Sequence, residues 1–391
     1  MLFEIKRLFK SKAMLLIVVL SLLPFLLTEY YATKEKTDKT DVRSYLKQYT
    51  ESNERAETYE KIKTAYSEIG TITPEEMAGR NMFDIFMLSE SYDYVSYEYE
   101  NFNKKWAELV KEASFELLEE KGKDNPDRRV INKNEKIIEE YNNYIELPLV
   151  VPGSFAFYDI VHMRFPDIVF IMFIIAMSVI LFTTGMSSNA EAMIRVMTLS
   201  RKKLLFNRWS AALLVNIVMS AVYTLYELHI AISYYNVKDL SIPIQTFQVF
   251  SMCPFRISVG AYFILDFSVR MICGMTILSL TMLLSYVLKN NIAVLSVSSV
   301  LWLGSFFVFY YYYKSYFEYK SISSDTALYK VIQICRTFLT SGLFDLRSYI
   351  INLDMAYVGV YVLRIAVCIL TAIVISVLSF IMSCRVYGRK I

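Results

Sequence analysis

The chain has 391 residues, 55% of them hydrophobic and 15% aromatic, with a formal net charge of +3. The charges are segregated: residues 34–164 hold 27 of the 38 acidic residues and 19 of the 41 basic ones, a net −8 against +11 for the remainder. Long unbroken apolar runs exclude an ordinary soluble domain, and a basic surplus placed beside those runs excludes a nucleic-acid binder.

A helix needs about 20 apolar residues to cross roughly 30 Å of hydrocarbon. Residues 1–12, MLFEIKRLFKSK, form an amphipathic lead-in helix, and the first span follows at 13–31. No small-x-small cleavage site follows Leu27, so this segment reads as a retained anchor rather than a signal peptide. Five further spans are expected at about 167–185, 209–235, 257–288, 291–313 and 357–382. Lys and Arg cluster before the first span, between the second and third, at Lys289 and at the chain end. With an even number of spans, all four clusters fall on the cytoplasmic side together with both termini. Residues 32–166 are then extracellular. The expected fold is an all-α integral membrane protein of six transmembrane helices, with a mainly helical extracellular domain inserted between the first and second.

Within that domain Val42, Tyr45, Leu46, Tyr49, Tyr59, Ile62 and Tyr66 recur at helical spacing until Gly70. Thr73-Pro74-Glu75-Glu76 carries an N-cap hydroxyl, a first-turn proline and first-turn acids, which together start a helix. A helix over 105–121 ends at Gly122, Asn125-Pro126 makes a turn, and another helix covers about 130–145. Residues 147–166, with three prolines and a glycine, read as an extended return to the membrane. The tyrosine-rich stretch 309–319 suits a membrane-interface belt, whereas 92–102 suits either such a belt or a stacking surface for a ligand. The five cysteines all lie outside this domain and show no CxxC spacing, so neither a disulfide framework nor a zinc site is suggested. The outer segment 314–354 is apolar but broken by Lys330, Arg336 and Gly342, which favours short or re-entrant helices.

Phosphate-binding GxxxxGK[ST], GxGxxG, GxSxG and HExxH patterns are all absent. The expectation is a non-enzymatic transport subunit with no cofactor of its own, whose energy comes from an ion gradient or another polypeptide. The loop 187–208 carries the most specific pattern. Ala192, Met193, Val196, Met197 and Leu199 form a short apolar stripe beside Glu191 and Arg195, followed by Ser200, Arg201, Lys202 and Lys203. A basic loop that only fixes topology accounts for the charges alone.

An acid, a short helix and a Leu-Ser-Arg-Lys-Lys step before a span resembles the coupling loop of ABC type-2 exporter permeases. Glu191, Leu199, Ser200, Arg201 and Lys202 match the family pattern, while its Gly-Thr step and its proline are replaced by Ala192-Met193 and Thr198-Leu199. The lead-in helix, the domain after the first span, the six spans and the outer segment extend the resemblance over most of the chain. It implies a bacterial cell-membrane permease coupled to a separate ABC ATPase through Glu191, Ile194, Arg195, Leu199, Ser200, Arg201, Lys202 and Lys203. It also implies ATP and Mg on that partner, a second permease copy or related permease within the lipid bilayer, and a hydrophobic or amphipathic substrate such as a peptide, antibiotic or lipid-like molecule.

Ionisable residues inside spans are costly and mark ion pairs or pathways. Glu227, His229, Asp266, Arg270 and Arg364 are such residues. The first and last three fall at comparable depth or one turn apart, so Arg364 is expected to pair with Glu227 or Asp266, with a local Asp266–Arg270 pair at i,i+4 competing. They either fix helix packing or line a substrate or proton path. Two other classes of function stay open. An ion-coupled secondary transporter would show inverted repeats and broken spans, and a sensor or immunity protein would bind a peptide through the external domain.

Overall fold

A computed structural model describes residues 2–10, 12–46, 55–70, 88–89, 92, 96, 107–142, 165–183, 201–233, 240–244, 250, 253, 255, 257–309, 327–344, 346–350, 355–357 and 361–389. Among these the fold is almost entirely helical. Five helices are long and apolar enough to cross a membrane, as in a multi-pass membrane protein. They lie in α6 (Phe165–Thr183), α7 (Arg201–Ser233), α8 (Val259–Leu288), α9 (Asn291–Phe309) and α12 (Arg364–Arg389).

The amphipathic lead-in forms α1 (Leu2–Lys10) and runs into α2 (Lys12–Leu46), whose described apolar stretch, Met14–Tyr30, is 17 residues or about 25 Å long. Leu15, Leu16, Val19, Leu23 and Leu26 of α2 stay exposed, as do Leu370, Val374, Val377 and Ile381 of α12. Such contiguous apolar faces suit lipid rather than water. Pro24 lies inside α2 and disturbs the preceding turn, where the carbonyl of Ser21 accepts from the Tyr223 hydroxyl at 2.7 Å. Tyr226 donates likewise to the carbonyl of Phe25, and its ring stacks on Phe25 at 4.2 Å. These contacts pin α2 to α7.

The bundle packs around α8, against which α12, α6 and α7 all lie. Small residues on α12 permit the close approach: Cys368, Ala372, Ser376, Ser379 and Ser383 are all buried. Ser376 donates to Thr276 at 3.1 Å, and Thr276 donates to the carbonyl of Ala372 at 3.2 Å. Trp209 Nε1 of α7 donates to Ser279 at 3.0 Å while its ring packs on Phe380, which ties α7 to both neighbours. The start of α8 is closed by the preceding loop: Ser258 accepts from the amide of Ala261, and the amides of Val259 and Gly260 donate to Ile242 and Leu240. Lys289 ends α8 at φ 56°, and Asn290 caps α9 by accepting from the amides of Ile292 and Ala293. Lys12, Lys202, Lys289 and Arg385 thus gather at one end of the bundle, the basic end; the opposite one is the far end.

Several expected boundaries shift. The third apolar helix begins at Arg201 rather than 209, so the last eight residues of the predicted coupling loop are already part of α7. The last begins at Arg364 rather than 357, because Met355–Tyr357 (β1) and Tyr361–Leu363 (β2) pair as an antiparallel hairpin. Tyrosines and valines around a glycine favour that extended pairing over helix. Arg364 consequently sits at a helix end instead of two turns inside one. Between α9 and α12 come α10 (Ala327–Phe338), a 3-10 turn at Thr340–Phe344 and α11 (Leu346–Ile350). All five residues of the turn are buried. The Thr340 carbonyl accepts from the thiol of Cys273 at 3.3 Å, and Cys273 lies about 21 Å along α8 from Val259. The turn therefore reaches the middle of the bundle.

In the polar domain, α3 (Arg55–Gly70) ends at Gly70 and buries Tyr59 and Ile62, while Tyr66 stacks flat on Tyr92 at 4.4 Å. The helix over 107–121 (α4) and α5 (Arg128–Asn142) form a hairpin around Gly122. Glu120 closes the turn by accepting from Lys123 at 2.7 Å and from the amide of Asp127 at 2.8 Å, which holds its carboxyl below the usual carboxylate range. Lys121 pairs with Glu135 across the hairpin. The helix start at Thr73–Glu76, the tyrosine belt at 310–319 and most of the 147–166 return lie outside the described residues.

Gly274 of α8 faces Asn216 of α7, whose side-chain amide donates to the Met271 carbonyl at 2.9 Å. A methyl group at position 274 would collide with that amide. Gly274→Ala should destabilise the protein by about 1–3 kcal/mol, and adding Asn216→Ala should recover part of the loss. Thermal unfolding of both variants in detergent checks this.

Candidate functional site

Three carboxylates surround one guanidinium in the far third of the bundle. Arg270 of α8 is 3% exposed. Its Nη2 lies 2.9 and 3.1 Å from the two oxygens of Glu227 on α7 and 3.1 Å from Asp167 on α6. Its Nη1 meets Asp266, one turn earlier on α8, at 3.0 Å and donates to Thr224 of α7 at 2.9 Å. Thr224 in turn donates to Asp266 at 3.1 Å. The Tyr223 ring flanks the guanidinium at 6.0 Å. Every ion pair except Asp266–Arg270 joins different helices.

The planar guanidinium explains why arginine occupies this place. Five donors in a fixed fork can serve several acceptors at once, and the group keeps its charge at any ordinary pH. A lysine would offer one compact charge without the fork. With three carboxylates and one cation, the cluster carries an excess of acid that a membrane interior disfavours. Among the described residues no group of three or more His, Cys, Asp or Glu side chains could hold a metal ion. The cation seen against these carboxylates is the Arg270 guanidinium.

Of the residues singled out from the sequence, the structure brings Glu227, Asp266 and Arg270 together. The cation that meets Glu227 and Asp266 is Arg270, not Arg364. Arg364 donates instead to Thr337 of α10 at 3.3 Å, because its place at the start of α12 keeps it beside α10. His229 is exposed on α7 and lies 3.3 Å from Ser233. Asp167 and Thr224 were missing from the sequence reading. Asp167 looked like a span's polar boundary, and only the packing of α6 against α8 brings it onto Arg270.

A second buried ion pair lies at the basic end. Glu4 of α1 and Arg208 of α7 approach to 3.8 Å, with side chains 4% and 1% exposed. The sequence had placed Arg208 among solvated loop charges; once α7 begins at Arg201, Arg208 falls two turns inside the helix and under α1. Lys202 and Lys203 are exposed on the first turn of α7, and Arg201 begins that helix. Glu191, Ile194, Arg195, Leu199 and Ser200 lie outside the described residues.

No family model, curated protein or solved structure matches this chain.

Removing Arg270 leaves the buried Asp167 and the largely buried Glu227 and Asp266 without their cation, and breaking a buried pair costs about 3–5 kcal/mol. Arg270→Gln should therefore lower the melting temperature well beyond the effect of Arg364→Leu. Asp266→Asn added to Arg270→Gln should restore part of the stability by removing one orphaned charge. Melting of the purified variants in one detergent checks the order.

Proposed function

We propose that the chain is the membrane subunit of an ABC exporter, with Met14–Tyr30 as a sixth span and both termini in the cytoplasm. Residues 32–166 are extracellular on this reading. The substrate is hydrophobic or amphipathic, and ATP with Mg is used by a separate ATPase chain. The observation that carries the reading is the assembly at the basic end. An amphipathic helix is seated on the start of α7 by the Glu4–Arg208 pair, within two turns of the Arg201-Lys202-Lys203 step of the candidate coupling loop. A partner pressing on that loop would press on α1 and α7 together.

The short helices between α9 and α12 add support, since an exporter of this layout carries such elements before its last span. A second reading has its own observation. The acid excess around Arg270 suits an ion-coupled carrier that binds a cation or proton there. The two readings separate by energy source.

Co-purification of the chain with an ATPase bearing nucleotide-binding motifs, lost on Arg201/Lys202/Lys203→Ala, is the expected outcome. Gradient-driven transport by this chain alone in vesicles, without ATP or a second polypeptide, would overturn the exporter reading.

A further inference from the structure

Among the described residues, the buried Glu4–Arg208 pair and the Arg270 cluster both draw a side chain from one helix, α7. Arg208 is near its basic end and Glu227 near its far end, 19 residues apart or about 28 Å along the axis. The 33 residues of α7 contain neither glycine nor proline, the usual causes of kinks. We propose that α7 is a strut clamped by charge at both ends, so that the seating of α1 and the closure of the Arg270 cluster are coupled.

Each clamp has the character of a switch. Glu4 and Arg208 are both buried, so separating them leaves charges away from water unless the local structure opens. The same holds for Arg270 against Asp167, while Glu227 and Asp266 are only slightly exposed beside it. Packed interfaces of this kind have discrete arrangements and do not deform continuously. A rigid helix shared by two such contacts passes a displacement at one to the other.

The middle of α7 is held in register as well. Asn216 fits against Gly274 of α8, and Tyr223 and Tyr226 bond to the backbone of α2 at Ser21 and Phe25. Since α2 follows α1 directly in the chain, a movement of α1 reaches α7 through Arg208 and again through α2. Both routes lead to the segment Tyr223–Glu227, which faces Arg270. This coupling is a property of the chain itself and is tested without any ATPase, so its fate is separate from that of the exporter reading.

Two cysteine reporters read the two ends. Cys273 is fully buried one turn from Arg270 and reports on the far cluster; Leu8, 3% exposed on α1, reports on the basic end when replaced by cysteine. The full chain, with the other cysteines changed to serine, is reconstituted in lipid vesicles and its maleimide labelling rate is measured. Glu4→Gln should raise labelling of Leu8→Cys and, by about fivefold or more, of Cys273. Arg270→Gln should raise labelling at Leu8→Cys by a comparable factor, because coupling free energies are reciprocal. The exchanged pair Glu4→Arg with Arg208→Glu should return both rates towards the parent values. Glu4→Asp, a milder change that keeps the charge, should move both reporters in the same direction by less, which guards against simple unfolding. A rise at one end with none at the other overturns the proposal, and so does an unchanged Leu8→Cys rate in Glu4→Gln.

Discussion

Arg270 must keep its charge in a place that water does not reach, and the bundle is arranged so that it can. A lone guanidinium at that depth would be expensive. Asp266 from the same helix, Glu227 and Thr224 from α7, and Asp167 from the start of α6 share the task. Because those groups come from three helices, satisfying one cation fixes how the three lie against each other. Apolar packing alone would not do this inside a membrane, where lipid tails compete equally well for apolar side chains. The polar contacts therefore specify the arrangement, and small residues such as Gly274 and Ala372 let the helices come close enough to make them.

The same logic recurs at the basic end on a smaller scale. An amphipathic helix lying on a membrane surface could slide or rotate; Glu4 on Arg208 gives α1 a single seat. The two ionic contacts share α7, which makes that helix the link between the seat of α1 and the Arg270 cluster. The dipping segment at Thr340–Phe344 packs on α8 and α12, its Thr340 carbonyl accepting from the Cys273 thiol and its Phe344 beside Phe170 of α6.

Much of this architecture was legible from composition and periodicity. Unbroken apolar runs mark the long helices because a bilayer needs about 20 such residues, and Gly70 and Gly122 mark helix ends because glycine is a poor helix former. The Asp266–Arg270 pair was legible too, since i,i+4 spacing puts both on one face. The interhelical partners were not. Nothing in one sequence says which face of α6 turns toward α8, so Asp167 looked like an edge residue. Arg364 was misplaced for a different reason: the apolar run from Tyr357 continues a span on hydropathy alone, yet its tyrosines and valines pair as strands. Arg208 was hidden by its neighbours, because a run of Arg and Lys before a span looks like loop whatever its last member does.

The central claim is that one guanidinium binds carboxylates from three helices at once. Solid-state NMR on the chain in lipid bilayers, with labelled arginine nitrogens and labelled carboxyl carbons, measures those distances directly. The account requires that the Arg270 side-chain nitrogens couple at under about 4 Å to carboxyl carbons, with the signal falling stepwise in Asp167→Asn, Glu227→Gln and Asp266→Asn. A guanidinium coupled to Asp266 alone, unaffected by changes at positions 167 and 227, would contradict it.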